Sequence, residues 1–335
     1  MNKNLFFILM GICMCLIIGN VNAGAKRSAL IYGHRGARGL VPENTIPAYA
    51  IALRIGVNYV DMDVGMTKDG VVVVTHDFAL NPDLTRKPDG TWVENNQTLI
   101  KDLTYRELQK YDVGQLKPGT KYAANFPEQV VVTGTHIPSL QQVITYVRLH
   151  AGRKVNFQVE IKTDPAHPEW TYPPEKIARA VVKILKNNRI DKRTDLQAFD
   201  WRVLQIVQKL DCKIATAYLT DQDSERSMRD SDPKIAGRWT AEKLLKDYDD
   251  SIPKMIAASH GKIWGPESTE LNAANVAEAH KYGLRVVPWA VNTEEEMGRM
   301  LELKVDGIIT DRPDILHQVI DAQAKLAQEK QAIPR

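Results

Sequence analysis

From residue 29 onward the chain alternates short β-branched, apolar runs with longer stretches whose apolar positions recur at helical spacing. Residues 29–32 (Ala-Leu-Ile-Tyr) predict a first strand and 45–55 a helix, with Thr45 placed to cap its start, Pro47 in its first turn and Gly56 at a left-handed stop. Residues 59–64 predict a second strand. A further extended run, 71–75, is entered through the turn signal Asp69-Gly70. After residue 135 the rhythm resumes, with strands predicted over 155–161, 196–199, 213–218, 255–258, 285–288 and 306–309. Helices are predicted between them over 140–149, 174–186, 202–210, 241–248, 275–282 and 293–303.

With the 71–75 run set aside as a local extension, this makes about eight strand–helix units, which argues for a parallel sheet closed into a (β/α)8 TIM barrel. A doubly wound open sheet would want a glycine-rich phosphate turn after its first strand. The turn here, from Gly33 through His34, Arg35 and Gly36 to Gly39, does not match that pattern. Residues 77–135 break the alternation with Pro82, Pro88, Gly90, Pro118, Gly119 and Pro127, and read as an insertion on the barrel rim.

The first 23 residues are set apart from the fold. Lys3 precedes an apolar run from Leu5 to Ile18, and Val21-Asn22-Ala23 offers small residues where a signal peptidase reads. The run is short for a bilayer span, which needs ~20 apolar residues. The expectation is a signal peptide over 1–23, cleaved after Ala23, then one domain over 24–335 in the periplasm or secreted, without stable membrane insertion. Cys13 and Cys15 fall in that leader, so Cys212 alone remains and no internal disulfide forms; it reads as a buried thiol at a strand start. The formal charge of +3 is scattered and shows no basic stripe, which argues against a nucleic-acid partner. The pattern does not fix an oligomeric state.

Barrel enzymes gather their chemistry at the C-terminal ends of the strands, and several reactive side chains fall at such ends. His34 follows the first strand. Asp61 and Asp63, two apart on the second, share a face. His76 ends the 71–75 run, and Glu160 and Lys162 share parity near the end of the third strand. Carboxylates facing a barrel interior need a compensating cation. Three oxygen ligands without clustered thiols suit a hard ion, Ca2+ or Mg2+; a pair satisfied by backbone or by an arginine is the competing account of Asp61 and Asp63. Imidazole titrates near neutrality, which makes His34 and His76 candidates for general acid and base. Arg35 and Lys162 can hold phosphate charge. His136, His150, His167, His260, His280 and His317 lack such company, His260 being the one placed on the active side of an expected strand.

The strings HRGARGLVPENT, DMDVGMTKDGVVVVTHD and VEIK, followed by AFD at 198–200, WAVN at 289–292 and VDGIITDRP near the end, closely resemble the glycerophosphodiester phosphodiesterases across about residues 32–314. The resemblance implies a TIM barrel with an inserted segment after the second histidine. It implies His34 and His76 as the catalytic pair, Asp61, Asp63 and Glu160 as metal ligands, and hydrolysis of a small-molecule glycerophosphodiester to an alcohol and glycerol 3-phosphate with Ca2+ or Mg2+. Trp289 would wall the glycerol pocket, and Glu43 would hold His34 or Arg35. Two departures stand out: Asp61 replaces the family's usual glutamate, one methylene longer, and Ala290 replaces a hydroxyl residue. Two rival functions share these residues. A phospholipase D-like enzyme or phosphodiester lyase would act on lipids and release a cyclic phosphate. A non-catalytic glycerophosphodiester-binding protein would turn nothing over.

Overall fold

In the computed structural model, which describes residues 29–332, the first apolar run becomes strand β1, Leu30–Gly33. The expected leader, 1–23, lies outside the described residues. Strands β2 (Tyr59–Met66), β4 (Asn156–Ile161), β5 (Thr194–Ala198), β6 (Ala215–Thr220), β7 (Ile263–Pro266), β8 (Arg285–Val286) and β9 (Gly307–Thr310) join β1 in one parallel sheet. Its order is β8-β7-β6-β5-β4-β2-β1-β9, and β3 (Val72–Val74) pairs antiparallel on the far end of β2. The ends meet: Asp306 N donates to Val286 O at 2.9 Å, Ile309 N to Pro288 O at 3.0 Å and Val291 N to Ile309 O at 3.0 Å. The sheet is therefore the closed TIM barrel that the alternation predicts.

Strand parity assigns each side chain to one of two cores. Outward residues such as Val60, Met62, Phe157, Val159, Leu196 and Trp264 pack under the surrounding helices in a single large apolar cluster. Inward residues Tyr32, Tyr59, Ala217, Ile263, Val287 and Ile309 fill the barrel. At its base Arg285 Nη2 donates to both oxygens of Asp195, at 3.0 and 2.9 Å, and its Nη1 to Tyr32 Oη at 3.3 Å, so the buried Asp195 charge does not stand alone. Inward parity also carries Asp61, Asp63, Glu160, Lys162, Gln197, Trp289 and Asp311 toward the C-terminal mouth.

Helix Ile46–Ile55 ends as its sequence predicts: the Thr45 hydroxyl accepts from Ala48 N, and Gly56 adopts φ +93°. Two elements differ from expectation. Residues 255–258 lie in helix Ile252–Ala258, because Ser251 caps it by accepting from Lys254 N and Pro253 occupies its first turn. The seventh strand instead uses Ile263-Trp264-Gly265-Pro266, whose Gly and Pro hide it from a propensity reading. The helix expected over 241–248 shrinks to one turn, Leu245–Tyr248, since Ala241 and Glu242 both take positive φ. Cys212 is exposed in the turn before β6, not buried.

Residues 77–135 carry mainly loops and single turns. Val73, Leu80, Val93, Ile100, Leu108 and Ile137 form a separate small core beneath them. Among the described residues, no helix is long and apolar enough to cross a membrane.

Beside β6, Glu270 is half-buried, and Thr220 Oγ1 donates to its Oε2 at 2.9 Å while Oε1 lacks a partner. Burial, with Asp221 adding repulsion, pushes its pKa up to about 7. Between the ordinary carboxylate range and that value, the folded chain keeps a proton that the unfolded chain has lost. Stability therefore falls as pH rises through this window. Glu270→Gln should raise Tm by about 2 °C at pH 8 and by less at pH 5, read by thermal unfolding; an effect independent of pH would contradict this account.

Candidate active site

The site begins with a turn that only its glycines permit. Gly36 N donates to Gly33 O at 3.0 Å, and a Cβ on Gly33 would sit 2.2 Å from Gly36 O. A Cβ on Gly36, itself at φ +90°, would fall 2.6 Å from the Ala48 methyl. The tight turn forces Arg35 into the left-handed region at φ +49° and points its backbone N–H inward, where it donates to Asp61 Oδ2 at 3.2 Å.

The next motif holds that turn in place. Glu43 Oε1 accepts from Arg35 Nη1 at 2.6 Å. Asn44 Nδ2 donates to Asp63 Oδ2 at 2.9 Å, while its backbone N–H donates to Arg35 O at 2.9 Å. Thr45 starts the helix. Glu43 thus holds Arg35, as one of its two expected roles required. Asn44 and Tyr122, whose hydroxyl donates to Glu43 Oε2 from the 77–135 segment, escaped the sequence reading.

Asp63 faces Glu160 directly across the β2–β4 pair, with Asp61 one inward position below. Arg35 Nε lies 3.2 Å from Asp63 Oδ2, and Lys162 Nζ donates to Glu160 Oε1 at 2.8 Å. Gln197 Nε2 donates to Asp61 Oδ1 at 2.8 Å, and Gln197 accepts in turn from Gln158. Burial opposes the charge of Asp63, yet Arg35, His76 and Lys162 outweigh it and hold its pKa well below the carboxylate range. Asp61 pays for that: burial, then repulsion from Asp63, raise it well above the ordinary value. Glu160 is raised too, by burial and by Asp63, with Lys162 opposing.

Asp61, Asp63, Glu160 and Glu43 outnumber the cations that act on them, Arg35, Lys162 and, at Glu43, Arg38. Acidic oxygen donors in excess within a buried mouth fit one divalent hard cation. The carboxylate oxygens are turned toward their protein donors, and among the described residues no three acidic, histidine or cysteine side chains form a ready-made ligand set.

The two histidines share one design. His34 Nδ1 donates to Asp311 Oδ1 at 2.7 Å, and His76 Nδ1 to Asp77 Oδ1 at 2.9 Å. A carboxylate can only accept, so each Nδ1 carries the proton and each Nε2 is left for other partners. Asp311 is shared: Arg38 grips it at 2.8 and 2.9 Å, and Asn292 Nδ2 donates at 2.8 Å. Burial works against the Asp311 charge, but His34 and Arg38 hold its pKa far down. His34 is lowered by burial and then by Arg38, and His76 is pushed down to about 4 by burial, Arg35 and Lys162. Neither aspartate was singled out from the sequence, although Asp77 adjoins His76 and Asp311 ends the last strand's motif, where barrel parity points inward.

His34, His76, Arg35, Asp61, Glu160, Lys162 and Trp289 all line one cavity of about 170 Å³. Asp63 lies just beneath it, paired with Arg35. Trp289 donates through Nε1 to Gly265 O at 2.9 Å and meets Phe199 edge-on at 5.4 Å, which presents an apolar wall. His260 sits at an exposed turn before β7, at the opposite end of the barrel, so the placement expected for it is overturned.

Two Asp-anchored imidazoles, a carboxylate cluster and two cations thus meet at the C-terminal mouth of a (β/α)8 barrel. The chain belongs to the glycerophosphoryl diester phosphodiesterase family, whose model matches residues 34–315. It is 28% identical over 333 residues to a glycerophosphodiester phosphodiesterase of Bacillus subtilis (strain 168), covering 95% of this chain and 99% of that one. A crystal structure from Silicibacter pomeroyi DSS-3, described as a candidate glycerophosphoryl diester phosphodiesterase, superposes with a TM-score of 0.78 at 31% identity over 90% of this chain and 96% of that one. An Oleispira antarctica phosphodiesterase, solved with its product sn-glycerol-3-phosphate, shares the fold at a TM-score of 0.62 and 19% identity over 88% and 97% of the two chains.

Replacing Asp311 with Asn should leave the fold intact and lower turnover by roughly 10²-fold or more, because an amide can present its NH2 to Nδ1 and favour the wrong tautomer. Steady-state kinetics beside a circular dichroism spectrum check this; unchanged turnover in a folded variant would remove Asp311 from the site.

Proposed function

We propose that the protein hydrolyses glycerophosphodiesters to an alcohol and sn-glycerol 3-phosphate, with His34 and His76 as its acid–base pair. The observation that carries this reading is that two imidazoles, each anchored through Nδ1 to an aspartate, open on the same cavity as Arg35 and Lys162. The two cations bind the phosphodiester anion. His34 Nε2 removes the proton of the attacking hydroxyl, either a water's or the 2-hydroxyl of the substrate's own glycerol; in the second case a cyclic phosphate forms first, and water then opens it to glycerol 3-phosphate with the roles of the two rings reversed. The new P–O bond forms as the bond to the leaving alcohol breaks, and His76 Nε2 donates the proton that the alkoxide takes up.

Burial, then the Arg35 and Lys162 cations, hold the pKa of His76 low against the opposing charge of Asp63. A bound phosphodiester adds a negative charge beside the ring and favours its protonated form. Asp61, Asp63 and Glu160 would hold one divalent cation, Ca2+ or Mg2+, as the excess negative charge supports. Lewis-acid stabilisation of charge on the phosphoryl oxygens is the chemistry such an ion supplies when bound. Asp61 is short, and its two oxygens already accept from Arg35 N and Gln197, which bears on the strength of ion binding more than on the reaction.

His34→Ala and His76→Ala should each lower kcat on glycerophosphocholine by ~10²- to 10⁴-fold while KM changes little. Chelation should abolish wild-type turnover and added Ca2+ or Mg2+ restore it. Near-normal kcat in either variant, or full activity in chelator, would defeat the assignment. Phosphorus NMR of the product separates linear glycerol 3-phosphate from the cyclic phosphate a lyase would release.

We further propose that the chain is exported and processed after Ala23, a reading supported by Lys3 and the apolar run that follows it. The mature protein should then begin at Gly24, which N-terminal sequencing of the protein purified from its natural compartment would establish; an intact Met1 would contradict export by cleavage.

A further inference from the structure

We propose that Arg38 is a positioning residue for the reaction: held by the 77–135 segment, it fixes the Asp311 carboxylate against His34 and leaves that ring free to accept a proton. This rests on the hydrolase reading above and on the place of His34 in it. The first observation is that one oxygen serves two donors. Asp311 Oδ1 accepts from His34 Nδ1 at 2.7 Å and from Arg38 Nε at 2.8 Å. Its Oδ2 accepts from Arg38 Nη2 at 2.9 Å and from Asn292 Nδ2 at 2.8 Å. The planar guanidinium fork spans both oxygens, so it sets the plane of the carboxylate and the direction in which Oδ1 faces the imidazole. The backbone repeats the link, with Gly39 N donating to Asp311 O at 3.0 Å.

The second observation is charge. Orientation alone does not call for an arginine: His76 is anchored by Asp77, whose second partner is the neutral Asn81 amide. Arg38 sets a full positive charge beside His34. Burial and then that charge lower the His34 pKa, Arg35 acts in the same direction, and Asp311 opposes them. His76, Asp61, Glu160 and Lys162 share the cavity wall with the ring. A base that is protonated before attack cannot act, so a cation at this position suits a ring that accepts the proton.

The third observation is where Arg38 gets its own support. Its guanidinium carbon lies 4.8 Å from the centre of the Phe126 ring, and Gln129 Nε2 donates to its backbone O at 2.8 Å. Tyr122 Oη accepts from Arg38 Nη1 at 3.4 Å while donating its own proton to Glu43. Tyr122 and Phe126 meet edge-on at 5.2 Å. Three side chains of the inserted segment therefore converge on this one arginine. Glu43 carries the link on to Arg35, so a single hydroxyl braces the supports of both the phosphate-binding and the proton-accepting group.

The test is the pH profile of kcat/KM on glycerophosphocholine, with added Ca2+ or Mg2+, for the wild type and three variants. Removing the Arg38 charge raises the His34 pKa, so the acid limb moves to higher pH. Arg38→Met should therefore lose about tenfold near pH 6 and recover most of it near pH 9. Arg38→Lys keeps the charge but not the fork; its acid limb should stay near the wild-type position while kcat falls by about tenfold at every pH. Tyr122→Phe should move the limb in the same direction as Arg38→Met, by less. An equal loss at every pH in Arg38→Met would make Arg38 a structural strut and overturn the assignment. So would a wild-type kcat in Arg38→Lys, which decides the matter even where the methionine variant does not fold. An unmoved limb in Tyr122→Phe would detach the inserted segment from this role. Absence of turnover by the wild-type protein at any pH would instead reject the hydrolase reading on which the assignment rests.

Discussion

Like charge crowded into the barrel mouth is the constraint around which this molecule is organised. Asp61, Asp63 and Glu160 project from two adjacent strands into one buried space. Two such carboxylates ~5 Å apart repel by ~3 kcal/mol at an effective dielectric of ~20. The fold answers with donors rather than distance: the strained backbone N–H of Arg35 and the side chain of Gln197 bond to Asp61, Asn44 bonds to Asp63 beside the Arg35 guanidinium charge, and Lys162 pairs with Glu160. The arrangement is compensated only in part, and the remainder leaves a place for an added cation.

The same economy governs the imidazoles. Each is oriented by one aspartate, but the two aspartates have different company. Asp77 has a neutral second partner, Asn81 Nδ2 at 2.7 Å, whereas Asp311 is gripped by the Arg38 guanidinium. His34 thus faces a carboxylate whose charge is already spoken for, and His76 faces one that is not. Under the proposed roles, His34 accepting a proton and His76 delivering one, that asymmetry acts once a bound phosphodiester offsets the burial, Arg35 and Lys162 that hold His76 low.

Much of this was legible in the chain. The alternation of strand and helix signals gave the barrel, and the parity of Asp61 with Asp63 and of Glu160 with Lys162 placed their side chains on the inner face. The seventh strand was not legible, because Gly265 and Pro266 carry no strand propensity and the helix before it is rich in apolar residues. Asp311 and Tyr122 were missed for a different reason. Their partners lie 277 and 79 residues away in the chain, at His34 and Glu43, so only closure of the barrel and folding of the 77–135 segment bring them together. Asp77 was missed although it is adjacent to His76, since adjacency does not show which way a side chain turns.

Strand β1 is sealed on one side by β9, and β9 leads directly into Asp311. The first reactive ring and its anchoring carboxylate thus come from opposite ends of the polypeptide. A growing chain that has not yet emerged past Asp311 can neither close its sheet nor fix His34. Closure of the sheet and orientation of that ring are therefore a single event, and a chain cut before Asp311 would lose both.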